Sequence, residues 1–125
     1  MALQAFSADL PRPPSANRLW RIAGRNVVKS AEYIGWLHGS GYLISVKSKN
    51  EAFEGGYVLR ILAGRKGKVH FDIDNYCKPI NDLLAFAKLV ENDKLCQRVS
   101  AEWDVEIPAD QVRIVVTATS TREAA

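Results

Sequence analysis

The sequence predicts an α+β fold, a single domain in which a mixed β-sheet packs against two helices. Three observations predict it. A chain of 125 residues with 47% hydrophobic content fills one core and leaves too little for two domains of ordinary size. A loosely alternating run at 3–10, an apolar, β-branched run at 56–63 and two further stretches near the C-terminus read as strands. Between them the period changes to that of a helix, with Ile80, Leu83, Leu84 and Ala87 at i, i+3, i+4 and i+7.

Residues 3–10 alternate loosely and stop at Pro11, an opening strand that leads into the rigid turn Pro11-Arg12-Pro13-Pro14-Ser15-Ala16-Asn17. Ser30 ahead of Ala31, Glu32 and Tyr33 marks a helix start. Ile34, Leu37 and Trp36 form its expected apolar side, and Gly39 and Gly41 are expected to interrupt it. The run GYVLRILA at 56–63 reads as a strand, and GRKGK at 64–68 as a cationic loop. From Val69 to Ile73 apolar and polar residues alternate, which sets His70, Asp72 and Asp74 on one side of an extended segment. A helix over about 75–88 follows; Pro79 must lie in its first turn, because proline cannot sit deeper. Residues 98–107 and 111–120 read as a closing hairpin joined at Pro108-Ala109-Asp110. The domain is thus expected over 1–121, with 122–125 a loose tail.

The net charge of +3 hides an asymmetry. Residues 1–70 hold 11 Lys and Arg against 4 Asp and Glu, and residues 71–125 hold 6 against 10. Cations that hold phosphates and clustered carboxylates that hold a metal would divide in this way, and so would an ordinary solvated surface. No apolar run approaches the roughly 18 residues of a membrane span, so a soluble, intracellular protein is expected. Cys77 and Cys96 form no CxxC, which argues against a disulfide framework or a zinc site and predicts two buried thiols.

The constellation richest in chemistry is Asp72-Ile73-Asp74-Asn75, then Lys78, then Glu91-Asn92-Asp93-Lys94. Two carboxylates on one face can share a divalent cation, and Asp93 can complete an oxygen-rich site suited to Mg²⁺ or Mn²⁺ if the chain folds back after Val90. Lys78 would stabilise charge at a phosphate. Its pairing with Asp82 four residues on, in the weaker lysine-first order, explains little. His70 is a minor candidate. Arg12, Arg18, Arg21, Arg25 and Lys29 surround Trp20, and Arg65, Lys66 and Lys68 precede the aspartates. These are candidate phosphate-backbone contacts, or else a solubilising loop with Trp20 as a core anchor.

PPSANR near the N-terminus, DIDNxxKxxxD in the middle and the carboxylate-rich stretch after the helix resemble the RusA family of bacterial and prophage Holliday junction resolvases, over residues 10–99. The resemblance implies a crossover junction endodeoxyribonuclease, cytoplasmic in a bacterium, in which Asp72, Asp74 and Asp93 bind catalytic Mg²⁺, Lys78 is essential, and Pro13, Pro14, Ser15 and Asn17 form the family's N-terminal loop. Two positions depart from the pattern. Asn92 stands where the family often has the first of two aspartates, so Asp93 is taken as the ligand with Glu91 as a substitute. His70 and Phe71 stand where the family can carry arginines, so Arg65, Lys66 and Lys68 would supply that charge.

The DNA contacts expected on this reading are Arg12, Asn17, Arg18, Arg21, Arg65, Lys66 and Lys68, with four-way junctions or other branched DNA as substrate. A junction needs two cuts and the chain has one carboxylate cluster, so a C₂ homodimer is expected, with Trp36, Tyr42 and Trp103 as interface candidates. Two rivals stand beside it. One is a DNA-binding protein without catalysis, its aspartates merely capping a helix. The other is a haloacid-dehalogenase-like phosphatase using Asp72 as nucleophile, for whose larger fold 125 residues leave little room.

Overall fold

A computed structural model describes residues 2–65 and 72–119 of the chain. Its framework is a four-stranded sheet in the order β1 (Ala5–Pro11), β6 (Gln111–Ala118), β4 (Tyr57–Ala63), β5 (Cys96–Trp103). β6 lies antiparallel to both β1 and β4, whereas β4 and β5 run parallel, so the sheet is mixed as expected. Alternation along each strand puts one row of apolar side chains on one face. Phe6, Val116 and Leu59 follow one another across the sheet, as do Ala8, Ile114 and Ile61, and then Leu10, Val112 and Ala63. All are buried and join the inward residues of both helices in one core. The other face is wet and carries the ion pairs Asp9–Arg113 and Arg60–Glu102, each at 2.7 Å.

The expected closing hairpin does not form. β5 and β6 are separated by β4, because β6 buries Val112, Ile114 and Val116 and is flanked by a strand on each side, while β5 is exposed along most of its length and suits an edge. The connection from β5 to β6 therefore passes over the end of β4. Asp104 N–H donates to Ala63 O at 2.9 Å and Gly64 N–H to Gln111 O at 3.0 Å. A Cβ on Gly64 would lie 1.8 Å from Pro108 O, so the crossing is possible only over a residue with no side chain.

α1 spans Ala31–Ser48, its first turn capped by Ser30, whose side chain accepts from Tyr33 N–H at 3.0 Å. Gly39 and Gly41 do not interrupt it. A side chain at Gly41 would meet the Phe86 ring at 3.3 Å, so this glycine lets the second helix approach closely. The inward stripe is Tyr33, Leu37, Ser40, Gly41, Ile44 and Ser48; Ile34, expected inside, is 43% exposed. α2 is shorter than expected, Cys77–Phe86, and a 3₁₀ turn at Ile73–Tyr76 precedes it. Pro79 is its third residue, in the first turn as the sequence requires. After α2, Lys88 adopts φ 59° and the chain reverses, burying Leu89 and Val90.

The basic stretch around Trp20 is no loop. It forms a separate two-stranded hairpin of β2 (Trp20–Ala23) and β3 (Asn26–Lys29), turned by Gly24 at φ 64° and Arg25. Among the described residues no helix is long and apolar enough to cross a membrane.

Gly64→Ala is expected to destabilise the protein by about 2 kcal/mol or more, since the added methyl meets backbone and not a side-chain tip. Urea unfolding measures it. A midpoint within error of the parent would mean that the 104–110 crossing does not depend on Gly64.

Candidate functional site

Lys78 Nζ donates to Asp82 Oδ1 at 2.8 Å, and Tyr33 Oη donates to Asp82 Oδ2 at 2.8 Å. The pairing that spacing alone made uninformative is thus formed. Its second anchor comes from α1, which fixes the carboxylate that the lysine meets. The hydrogen bond it donates to Asp82 raises the Lys78 ammonium above its ordinary pKa; burial opposes this, and the charges of Asp82 and Asp93 reinforce it. Burial and the same Asp82 push the Tyr33 hydroxyl well above the usual tyrosine range, so it stays a donor.

The chain does fold back after Val90, and Asp93 returns to the lysine. Lys78, Asp82, Glu91, Asn92 and Asp93 line one cleft of about 460 Å³ with Trp20 and Lys29 of the hairpin. Asn92 caps the short 3₁₀ turn Asp93–Leu95, its side chain accepting from Lys94 N–H at 2.9 Å. The Tyr57 hydroxyl, pushed up first by burial and then by Cys96 and Asp93, donates to Asn81 Oδ1 at 2.8 Å.

Asp72 and Asp74 are exposed, and among the described residues neither side chain has a hydrogen-bond or ion-pair partner. They do not share the face of a strand. Asp72 is extended at φ −77° and ψ 148°, but Asp74 already belongs to the 3₁₀ turn, so the period-2 argument fails at Ile73, where the backbone starts to coil toward α2. Asp72 makes no side-chain cap, which removes the simplest structural account of that residue. Two expected cations flank this turn. Burial raises the Tyr76 hydroxyl and the Arg12 guanidinium beside it pulls it back, while Arg65 lies 5.7 Å from the centre of the Trp103 ring, which meets Tyr76 edge-on. Lys66, Lys68, His70 and Phe71 lie outside the described residues, as does the tail at 122–125.

Arg12, Pro13, Pro14, Ser15, Arg18 and Trp36 line a second cleft, with Glu32 3.7 Å from Arg18. Asn17 is exposed on the 3₁₀ turn Ala16–Arg18. Arg21 is exposed on the hairpin, on the strand face opposite Trp20. Of the interface candidates, Trp36 donates to Pro11 O and stacks on Tyr33, and Trp103 packs on Tyr76, both half-buried, whereas Tyr42 is 70% exposed. Cys77 and Cys96 are free thiols, half-buried instead of buried.

The donor chemistry at Asp72, Asp74 and Asp93 suits a hard cation, being carboxylate oxygen throughout. Among the described residues, however, no three His, Cys, Asp or Glu side chains gather into a group able to hold a metal ion. Spacing gave Tyr33 no part in the site, only a place in the first turn of α1. Trp20 and Lys29 were expected in a basic stretch apart from the aspartates, and Asp82 only as a weak partner of Lys78 and as the aspartate closing DIDNxxKxxxD. Compared with known proteins, the chain matches no family model and no curated relative.

Asp82→Asn is expected to lower the Lys78 titration midpoint, because the partner that raises it loses its charge. NMR of the lysine ε-methylene across alkaline pH reads this directly. An unmoved midpoint would show that Asp82 does not govern the ammonium.

Proposed function

We propose that this protein is a metal-dependent endonuclease that cuts branched DNA, four-way junctions foremost, as a homodimer. One observation carries the reading. Lys78 and Asp93, far apart in sequence, line a single cleft beside the cationic hairpin, and Asp72 and Asp74 stand at the head of the helix that bears Lys78. The order of these residues is that of the RusA motifs. The sheet argues against the phosphatase alternative, since β4 has a parallel neighbour on one side and an antiparallel one on the other.

Asp72 and Asp74 at the turn and Asp93 on the cleft would draw together to hold Mg²⁺, or Mn²⁺ in its place, with Glu91 beside Asp93 on that cleft as a further oxygen donor. Such an ion supplies an activated water and charge at the leaving oxygen. The chain's own residues do the rest. Asp82, braced by Tyr33, holds the Lys78 ammonium in place, so that it can meet negative charge growing on a phosphate. Arg12 and Arg65 beside the aspartate turn, Arg18 and Asn17 in the N-terminal loop, and Arg21 on the hairpin would grip the backbone. Lys66 and Lys68 would extend that grip. The setting implied is a bacterial cytoplasm, the protein encoded by host or prophage.

Asp74→Asn is expected to cut a synthetic four-way junction on the order of 100-fold more slowly with Mg²⁺ while binding it normally. Normal cutting by this variant would overturn the metal assignment; if the parent itself binds junctions but never cuts, the protein is a DNA-binding module. Lys78→Ala should lower turnover by roughly 100-fold with little change in affinity, and equal losses in both would make Lys78 a binding residue. Two cuts on like-polarity strands require two sites. Sedimentation should therefore give a dimer, and a monomer that stays monomeric on the junction yet cuts both strands would contradict that requirement.

A further inference from the structure

The β2–β3 hairpin carries an unusual pair of side chains. Ile22 and Val27 face each other directly across its two strands and are 79% and 67% exposed. Single apolar residues on a surface need no explanation, but a β-branched pair on a two-stranded projection adds nothing to the core. In a hairpin, directly opposed residues and their second neighbours share a face. Trp20, Ile22, Val27 and Lys29 therefore lie on one side, and that side's base, Trp20 and Lys29, lines the cleft that holds Lys78 and Asp93.

The hairpin's anchorage is firm and its tip is free. Ser30 N–H donates to Leu19 O at 2.8 Å and Ser30 Oγ to Arg18 O at 2.5 Å, so the cap residue of α1 also closes the hairpin's base. Trp20 meets Tyr33 edge-on at 6.0 Å and Lys29 lies 5.6 Å from the Trp20 ring centre. The tip, Gly24 and Arg25, is exposed. No carboxylate occurs between Asp9 and Glu32, while Arg12, Arg18, Arg21, Arg25 and Lys29 all fall there. An apolar pair on a hairpin whose own charged side chains, Arg21, Arg25 and Lys29, are all cations complements a polyanion that also presents flat apolar surface, which is an opened base step flanked by phosphates.

We propose that the β2–β3 hairpin is a wedge for branched DNA, with Ile22 and Val27 set against unstacked bases at the branch point and Arg21, Arg25 and Lys29 on the flanking phosphates. The wedge rests on the endonuclease reading and deepens it. It explains how a cleft suited to a phosphodiester would favour a branch over a plain duplex, since bases at a junction cost less to unstack than those inside a helix.

The test is the fluorescence of 2-aminopurine placed at the branch point of a four-way junction, with a second junction labelled within an arm, titrated with the full-length protein in EDTA. The parent should raise the branch signal by roughly twofold or more and leave the arm signal flat. Ile22→Ser with Val27→Ser, both at exposed positions, should abolish that rise while weakening junction binding less than about tenfold, because the cations remain. Ile22→Leu with Val27→Leu should retain it. A parent that binds the junction without raising the branch signal, or a serine variant that keeps the full rise, overturns the wedge and leaves the endonuclease reading standing. A serine variant that sediments as a monomer where the parent is a dimer overturns it too, assigning the pair to contact between copies. A parent that binds junctions no better than linear duplex overturns both readings together.

Discussion

Strands β4 and β5 run parallel, and a parallel pair cannot be joined by a tight turn. The chain must leave the end of β4, travel back along the sheet and re-enter beside its own start. Everything from Asp72 to Asp93 lies on that return path, first the 3₁₀ turn, then α2, then the reversal at Lys88 and the second 3₁₀ turn. Lys78 and Asp82 of α2 and Glu91 and Asp93 beyond it are thereby delivered to one cleft. The antiparallel alternative, a hairpin at that point, would leave Lys78 and Asp93 with no reason to meet.

The same constraint accounts for the loop over Gly64. With β5 placed on the far side of β4, the strand that completes the sheet has to cross β4's end to fill the gap beside β1. Two backbone hydrogen bonds fasten the crossing, and the missing side chain makes room for it. Sheet order, crossover and glycine form a single arrangement.

The start of α1 has a comparable role at the cleft. Ser30 caps the helix and closes the β2–β3 hairpin; three residues on, Tyr33 touches the Trp20 ring and holds the Asp82 carboxylate that pairs with Lys78. Hairpin, helix start and lysine are therefore one hydrogen-bonded and packed unit.

Periodicity and chain stiffness alone were enough for the opening strand, the strand at 56–63, the first-turn position of Pro79, the core face of α2 at Ile80, Leu83 and Leu84, and the α+β class, because each depends on neighbours a few residues away. The β2–β3 hairpin was also local, written in Gly24-Arg25 between WRIA and NVVK, but the density of cations masked it. Other features were not legible in any window. Gly41 within α1 is favourable only because Phe86 arrives against it, and the Lys78–Asp82 pair gains its brace only because Tyr33 lies across the helix interface. Whether β6 would lie beside β5 or between β1 and β4 turned on which placement buries Val112, Ile114 and Val116 between two neighbours. Burial of that kind is a property of the assembled sheet, so the strand's own sequence specifies its alternation and the tertiary structure chooses its partners.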